Sequence, residues 1–299
     1  MMRTSSFEKI MPYFPAPIAS VLRAIPNEKA QQIQEIRLRL GRGIQIVCSG
    51  QASALQSGGY VTRALLDDVF LRICEHSVHS CCEELRQGYV TIAGGCRVGL
   101  CGTAVMHEGV TEMVRDISGM NFRIAGEVKG CAAELVGKVF GNGLCGVLIA
   151  GPPNSGKTTI LRDICRILGS RYRISVIDER GEIAALHQGI SPFELGEQTD
   201  VFDGYPKAEG IELAVRVMSP QILICDEIGG NAEVDALLPA LHTGVHLIAA
   251  AHAESLPALY ERPQIRRLLD ANAFSYAAML GTGEHCGKVE SLRCVGREA

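Results

Sequence analysis

No run of apolar residues in this 299-residue sequence is long enough to cross a bilayer. The longest stretches, such as Val147–Ala150 and Leu247–Ala251, fall far short of the roughly 20 residues that a hydrocarbon core demands. The segment Met1–Ile10 carries Arg3, Glu8 and Lys9 where a signal peptide would carry its apolar core. A cytoplasmic location without direct membrane insertion is therefore expected. A basic excess is missing too. The net charge of -4 and pI near 6.1 argue against a dedicated nucleic-acid binder. There is no internal repeat and no low-complexity segment.

The twelve cysteines include no CxxC pair. Disulfides are not expected in a reducing compartment, and Cys145, Cys165 and Cys225 sit in apolar runs where cysteine behaves as a small hydrophobe. The densest group is Cys74, His76, His79, Cys81 and Cys82, with Cys96 and Cys101 beyond it. It lacks the spacing of a zinc site and reads as thiols along a helix that runs into a loop.

What is present is an ordinary globular composition, 47% hydrophobic and 21% charged, over a length that suits two domains. From about residue 145, short apolar strands alternate with helical patterns, which predicts a parallel sheet flanked by helices. The strands are Cys145–Ala150, Arg173–Asp178, Ile222–Asp226 and His246–Ala251, and the helices lie at about 157–168, 207–218 and 232–242. Ile160, Leu161, Ile164, Ile167 and Leu168 form one apolar stripe, ended by Gly169. A hairpin over 273–280 and 288–295 closes the sequence. The first 125 residues read as a smaller α+β domain. It has helical patterns at 17–24, 29–40 and 64–76, and a hairpin of Tyr89–Ile92 and Arg97–Val105 about Gly94-Gly95. Residues 126–143 form a linker and lead-in helix, and 144–299 the second domain. The fold class expected is α/β, a P-loop NTPase core of the RecA-like kind with a predominantly parallel sheet, preceded by the smaller α+β domain.

The chemistry concentrates at Gly151-Pro152-Pro153-Asn154-Ser155-Gly156-Lys157-Thr158, followed by Thr159. This matches the P-loop template at every fixed position, and it follows an apolar strand and opens a helix, as the template requires. The glycines let the backbone wrap phosphate oxygens, successive N–H groups form an anion nest, and the helix N-terminus adds its dipole. Lys157 is placed to reach the β- and γ-phosphates of ATP, and the Thr158 hydroxyl to bind Mg²⁺. Ile222-Leu223-Ile224-Cys225-Asp226-Glu227 reads as a Walker B strand. Asp226 is the second candidate for Mg²⁺, through water, and Glu227 the candidate that polarises the attacking water. No LSGGQ-like signature separates the two Walker motifs, which sets the sequence apart from ABC transporters.

Two further segments narrow the class. Val176-Ile177-Asp178-Glu179-Arg180-Gly181-Glu182 puts acids directly after a strand, and Thr243–Ala253 carries His246 and His252 at the two ends of another. Together they resemble the Asp box and His box of the secretion-superfamily ATPases, the hexameric motors of type II and type IV secretion and of type IV pili. The resemblance places Glu179 and Glu182 in the Asp box with Asp178 beside them, His246 and His252 in the His box, and Glu227 as the Walker B glutamate. Asp226 stands where pilus retraction motors often carry glycine. Glu35–Arg39, Glu84–Tyr89, Gly95–Gly102, Thr199-Asp200-Val201 and Pro206-Lys207-Ala208-Glu209-Gly210 are similar, in colinear order, to the stage III sporulation protein AA family.

That likeness implies an ATPase of the mother cell of an endospore-forming bacterium, peripheral at the forespore-facing membrane. It implies membrane-embedded sporulation channel proteins as partners and a homo-oligomer, a hexameric ring, as the working state. ATP is then expected between the two domains and against a neighbouring subunit. Arg97 and Arg123 are implied as the arginines that complete the site, with Arg180 a third candidate beside the Asp box. Plastid and cyanobacterial relatives add a C-terminal single-stranded nucleic-acid-binding module for which this sequence leaves no room, which favours the sporulation role. Two other readings compete: a nucleic-acid-dependent RecA-like NTPase, and a scaffold that uses nucleotide only to assemble.

Overall fold

The computed structural model describes residues 6–48, 50–55, 59–75, 82–107, 109–124 and 126–296. They form two units, Met1–Gly126 with Ala185–Pro192, and Glu127–Ala184 with Phe193–Ala299.

The first unit opens with helices α1 (Ser6–Ile10), α2 (Ala16–Arg23) and α3 (Asn27–Ala30), followed by strands β1 (Ile33–Arg39), β2 (Gln45–Cys48) and β3 (Gln51–Ala54). Helices α4 (Arg63–Ile73) and α5 (Cys82–Arg86) precede β4 (Tyr89–Ile92), β5 (Cys96–His107) and β6 (Val110–Arg123). Thr62 caps α4 by accepting the Leu65 amide at 3.3 Å. The strands make one antiparallel six-stranded sheet in the order β3-β2-β1-β6-β5-β4. Its core includes Phe14 and Phe122, whose rings lie 4.5 Å apart.

The helix expected over 29–40 is not formed. Only Asn27–Ala30 is helical, and Ile33–Arg39 is a strand. Ile36 and Leu38 alternate with Glu35, Arg37 and Arg39 at strand period, but a register irregularity between Ile33 and Glu35 shifts the phase. The resulting Ile33-to-Ile36 spacing imitates a helical face. Ala185–Pro192 packs within this unit through His187 and Gln188, whose side chains meet Glu75 at 3.0 and 2.8 Å.

The second unit begins with α6 (Ala133–Phe140), β7 (Val147–Gly151), α7 (Lys157–Leu168), β8 (Ile174–Asp178) and β9 (Thr199–Asp203). It continues with α8 (Lys207–Met218), β10 (Ile222–Glu227), α9 (Asn231–His242) and β11 (His246–His252). Helices α10 (Leu256–Tyr260) and α11 (Pro263–Asp270) and strands β12 (Tyr276–Leu280) and β13 (Val289–Cys294) complete it. The seven-stranded sheet has the order β13-β12-β7-β11-β10-β8-β9, parallel throughout except for the antiparallel pairing of β13 with β12. Every residue of β7 and β8 is buried, the pattern of parallel strands covered on both faces. The carboxyl ends of β7, β8, β10 and β11 thereby converge, the place where open α/β sheets bind ligands. Among the described residues no helix is long and apolar enough to cross a membrane.

Candidate active site

The loop after β7 is shaped by backbone that most side chains disfavour. Asn154 has φ 61° and Gly156 φ 90°, both in the left-handed region, and this turns successive amides toward one point. A Cβ on Gly156 would lie 3.0 Å from the Gly287 Cα, and one on Gly151 would lie 2.5 Å from the Ser155 Oγ. That hydroxyl is buried without a hydrogen-bond partner. Helix α7 starts at Lys157, directly beneath the loop, so its free N–H groups and its dipole face the same point.

A cavity of about 790 Å³ opens above this loop. Pro153, Asn154, Gly156, Lys157, Thr158 and Thr159 line it from the loop side, and Glu179, Glu182, Asp226, Glu227 and His252 from the strand ends. Gly151, Pro152 and Ser155 shape the loop from behind and do not line the cavity. The Lys157 Nζ donates to the carbonyls of Gly151 at 2.9 Å and Pro152 at 2.8 Å, and to the His252 Nδ1 at 2.9 Å. Burial pulls this ammonium below its ordinary value, and Glu227 pulls against that. The His252 Nε2 lies 3.0 Å from the Glu227 Oε2. His252 accepts at Nδ1 and donates at Nε2, so a continuous chain joins the P-loop lysine to the Walker B glutamate.

Asp226 and Glu227 are neighbours on one strand, and regular strand geometry would send them to opposite faces. A register irregularity between Cys225 and Glu227, opposite Ala249 and Ala250, lets both line the cavity. His252 is brought in by β11, where it stands opposite Gly151. His246 is not. It begins the same strand, opposite Ile222, six residues or roughly 20 Å away at the rise of a strand, and it does not line the cavity. Burial lowers its imidazole pKa. Of these two histidines only His252 lines the cavity.

The Asp box is divided as well. Asp178 is buried and its carboxylate accepts from the amides of Glu182 at 2.8 Å, Ile183 at 3.1 Å and Ala184 at 2.7 Å. It folds the turn that presents Glu179, Arg180 and Glu182 to the cavity. Beneath the turn, Arg162 donates to the carbonyls of Ile183 and Glu182, both at 2.8 Å, and stacks 3.6 Å over the Phe193 ring.

Two residues in the site have no role assigned by the motifs. Glu233, from the first turn of α9, accepts from the Gly229 amide at 2.9 Å. Lys207, the first residue of α8, is 6% exposed, and its Nζ lies 2.6 Å from the Asp226 Oδ1 and 3.9 Å from both Glu179 and Glu233. It also donates to the Glu227 carbonyl. Burial would lower the Lys207 pKa, but Asp226 and then Glu233 outweigh it and hold the ammonium above its ordinary value. Burial pushes the Asp226 carboxyl up. Lys207 opposes this, while Asp178 and Glu182 add to it. Five acids line the cavity against three cations, Lys157, Arg180 and Lys207, and this excess of negative charge suits a divalent ion held together with a nucleotide. A second cavity of about 660 Å³ shares Gly156, Thr159 and Cys286 with the first and has apolar walls at Leu135, Val289 and Leu292.

Arg97 and Arg123 belong to the first unit, directly opposite one another on β5 and β6, with Glu35 on the other flank of Arg123. Glu35 pairs with Arg37 at 2.6 Å, and the Arg97 guanidinium lies 5.3 Å over the Tyr89 ring. His76, His79 and Cys81 of the thiol-rich group lie outside the described residues. Among the described residues no group of His, Cys, Asp and Glu side chains is arranged to hold a metal unaided.

Comparison with solved structures defines the fold. The Legionella pneumophila ATPase DotB matches 90% of this chain and 78% of its own with a TM-score of 0.55 at 15% identity. The pilus retraction motor PilT with bound ADP matches 86% and 77% with a TM-score of 0.57, also at 15% identity. The fold is thus that of a RecA-like P-loop NTPase core with an α+β domain before it. The family whose description is sporulation stage III, protein AA, matches residues 6–294. Stage III sporulation protein AA of Bacillus subtilis (strain 168) is 37% identical over 290 residues, 95% of this chain and 94% of that protein. The chain belongs to the sporulation stage III, protein AA family.

Proposed function

We propose that this protein hydrolyses ATP as a motor of the secretion type, acting in endospore formation. The observation that carries the reading is the chain from Lys157 through His252 to Glu227, which links the phosphate loop to the water-activating acid. The amides of residues 154–158, leading into the start of α7, cradle the β- and γ-phosphates. Lys157 exchanges the Gly151 and Pro152 carbonyls for phosphate oxygens. As it leaves the His252 Nδ1, the imidazole is free to shift toward the γ-phosphate, and Glu227 to orient water for in-line attack. The arrival of phosphate is thus read at the catalytic acid without any large rearrangement of β10.

Thr158 and Asp226 would hold Mg²⁺, whose charge neutralises the phosphate oxygens when it is bound with the nucleotide. The nucleoside continues from Thr159 into the apolar second cavity. Arg97 or Arg123 supplies the further cation that phosphoryl transfer demands. Hydrolysis drives motion because ATP and ADP favour different arrangements of a homo-hexameric ring, which works in the mother cell, peripheral at the forespore-facing membrane, on membrane-embedded channel proteins.

The test is turnover and mass measured together on the purified protein, with and without ATP, DNA and RNA. The expected result is steady phosphate release that nucleic acid does not stimulate, with ATP promoting a ring. A strictly monomeric protein with DNA-stimulated turnover would overturn the reading.

A further inference from the structure

Asp163 is a buried acid that no step of the proposed reaction uses. It lies in the second turn of α7, on the same face as Thr159, and is 3% exposed. Its carboxylate is taken up by the segment before α6. Oδ1 accepts from the Gly130 amide at 3.1 Å and Oδ2 from the Ala132 amide at 2.8 Å, with the Arg166 Nε 2.7 Å from Oδ1. The start of α6 explains the need. Its N-cap is Ala132, whose methyl group can accept nothing, and the residue three positions on, where a capping box carries an acid that reaches back to the cap amide, is Leu135. Asp163 fills that place from another helix, and its charge complements the positive end of α6. Burial alone would raise the carboxyl pKa, but the Ala132 amide, Arg166 and the Gly130 amide outweigh it and hold the group below its ordinary value.

The segment so pinned is a wall. Val128, Cys131 and Leu135 line the second cavity, which Thr159 shares with the first and which Val289 and Leu292 of β13 also line. The Cys131 Sγ lies 3.8 Å from the Thr159 carbonyl, so this wall rests against the first turn of α7. We propose that Asp163 is a positioning residue: by capping α6 from α7 it holds the wall in place for a nucleoside, and so sets the affinity for the nucleoside part of ATP. This role rests on the nucleoside placement proposed above and names the residue that makes the cavity a binding site. One helix then serves both parts of the ligand. Its amino end takes the phosphates, and its second turn, through Asp163, fixes the nucleoside wall. Without the carboxylate the Gly130 and Ala132 amides lose a charged acceptor and the start of α6 frays. The apolar wall then moves, while the loop at 151–158 keeps its own shape.

Calorimetric titration of the full-length protein with ATP and with inorganic tripolyphosphate tests this. Wild type is expected to bind ATP at least about tenfold more tightly than tripolyphosphate, since burying the nucleoside adds to the phosphate contacts. Asp163→Asn keeps the size of the side chain but has one acceptor oxygen for two amides. Its ATP affinity should fall at least about tenfold and its tripolyphosphate affinity less than about threefold. Alkylation of Cys131 by iodoacetamide, followed by mass spectrometry, gives a second readout. In the wild type this thiol is half-buried, and burial with the Asp163 charge pushes its pKa up to about 11, so it should react slowly. In Asp163→Asn the released segment should react several times faster. An acid that only stabilises the fold would weaken ATP and tripolyphosphate binding together. That outcome, or unchanged ATP affinity in Asp163→Asn, overturns the proposal. Should Asp163→Asn fail to fold, Asp163→Ser gives the same comparison. Binding needs no turnover, so a wild type that prefers ATP to tripolyphosphate but releases no phosphate would refute the motor reading and leave this inference decided. A wild type that binds the two alike would overturn this inference and leave the motor reading to its own test.

Discussion

His252 is held from both sides, by an ammonium at Nδ1 and a carboxylate at Nε2, and that fixes its tautomer. A histidine so placed links its two neighbours, accepting from Lys157 and donating to Glu227. Glu227 is the end of that chain and, in the proposed mechanism, the acid that orients water. Replacing it by glutamine preserves its shape and removes its negative charge. Glu227→Gln is therefore expected to bind ATP as tightly as wild type while kcat falls by about 10² to 10⁴, the usual contribution of a general base. The check is a filter-binding measurement paired with phosphate release. Loss of ATP binding, or turnover within about threefold of wild type, would remove Glu227 from the role.

At the scale of elements, the loop between β7 and α7 depends on a backbone no other residue accepts easily. Gly156 is left-handed, and a methyl there would also press on the Gly287 backbone at 3.0 Å. The left-handed form alone costs a non-glycine residue about 1–2 kcal/mol. Gly156→Ala is expected to lower the melting temperature by a few degrees and to weaken ATP binding by at least about tenfold, because the amides can no longer converge. Unchanged nucleotide affinity, read by calorimetry, would show that the cradle is not the binding element.

The same elements mark how far local pattern carries. Helices 157–168 and 207–218 and the closing hairpin were legible because apolar spacing and glycine punctuation agree there. Motif spacing singles out the loop after β7, Glu227 and His252, and the structure brings all three to one cavity. Strand β1 was not, since a bulge breaks its alternation. Strand β6 was not either, since the polar residues Thr111, Glu112, Arg115, Asp116 and Asn121 interrupt its apolar positions. The places of Lys207 and Arg162 in the site show only in three dimensions, because one sits at the start of a different element from Asp226 and the other beneath a turn it does not belong to. The histidines at either end of β11 read as one box, yet parallel register puts only His252 beside Gly151.

For the whole molecule, the proposed function gives the first unit a part in hydrolysis through Arg97 or Arg123. Arg97 and Arg123 stand side by side across two strands, an arrangement that costs stability unless an anion compensates it. If these arginines complete the site of a neighbour in a ring, a subunit lacking them can still serve as the active site for an intact neighbour. Arg123→Ala and Glu227→Gln should then each be inactive alone, while an equimolar mixture, unfolded from its own rings and reassembled with ATP, should recover activity. In a head-to-tail ring, random mixing places an intact Glu227 beside an intact Arg123 at roughly a quarter of the interfaces, and turnover should approach that fraction of wild type. Arg97→Ala mixed with Glu227→Gln makes the same measurement for the other arginine. Recovery with one arginine variant and not the other identifies which residue crosses the interface. No recovery with either, in rings shown by mass to be mixed, would mean that each subunit hydrolyses ATP with its own residues alone.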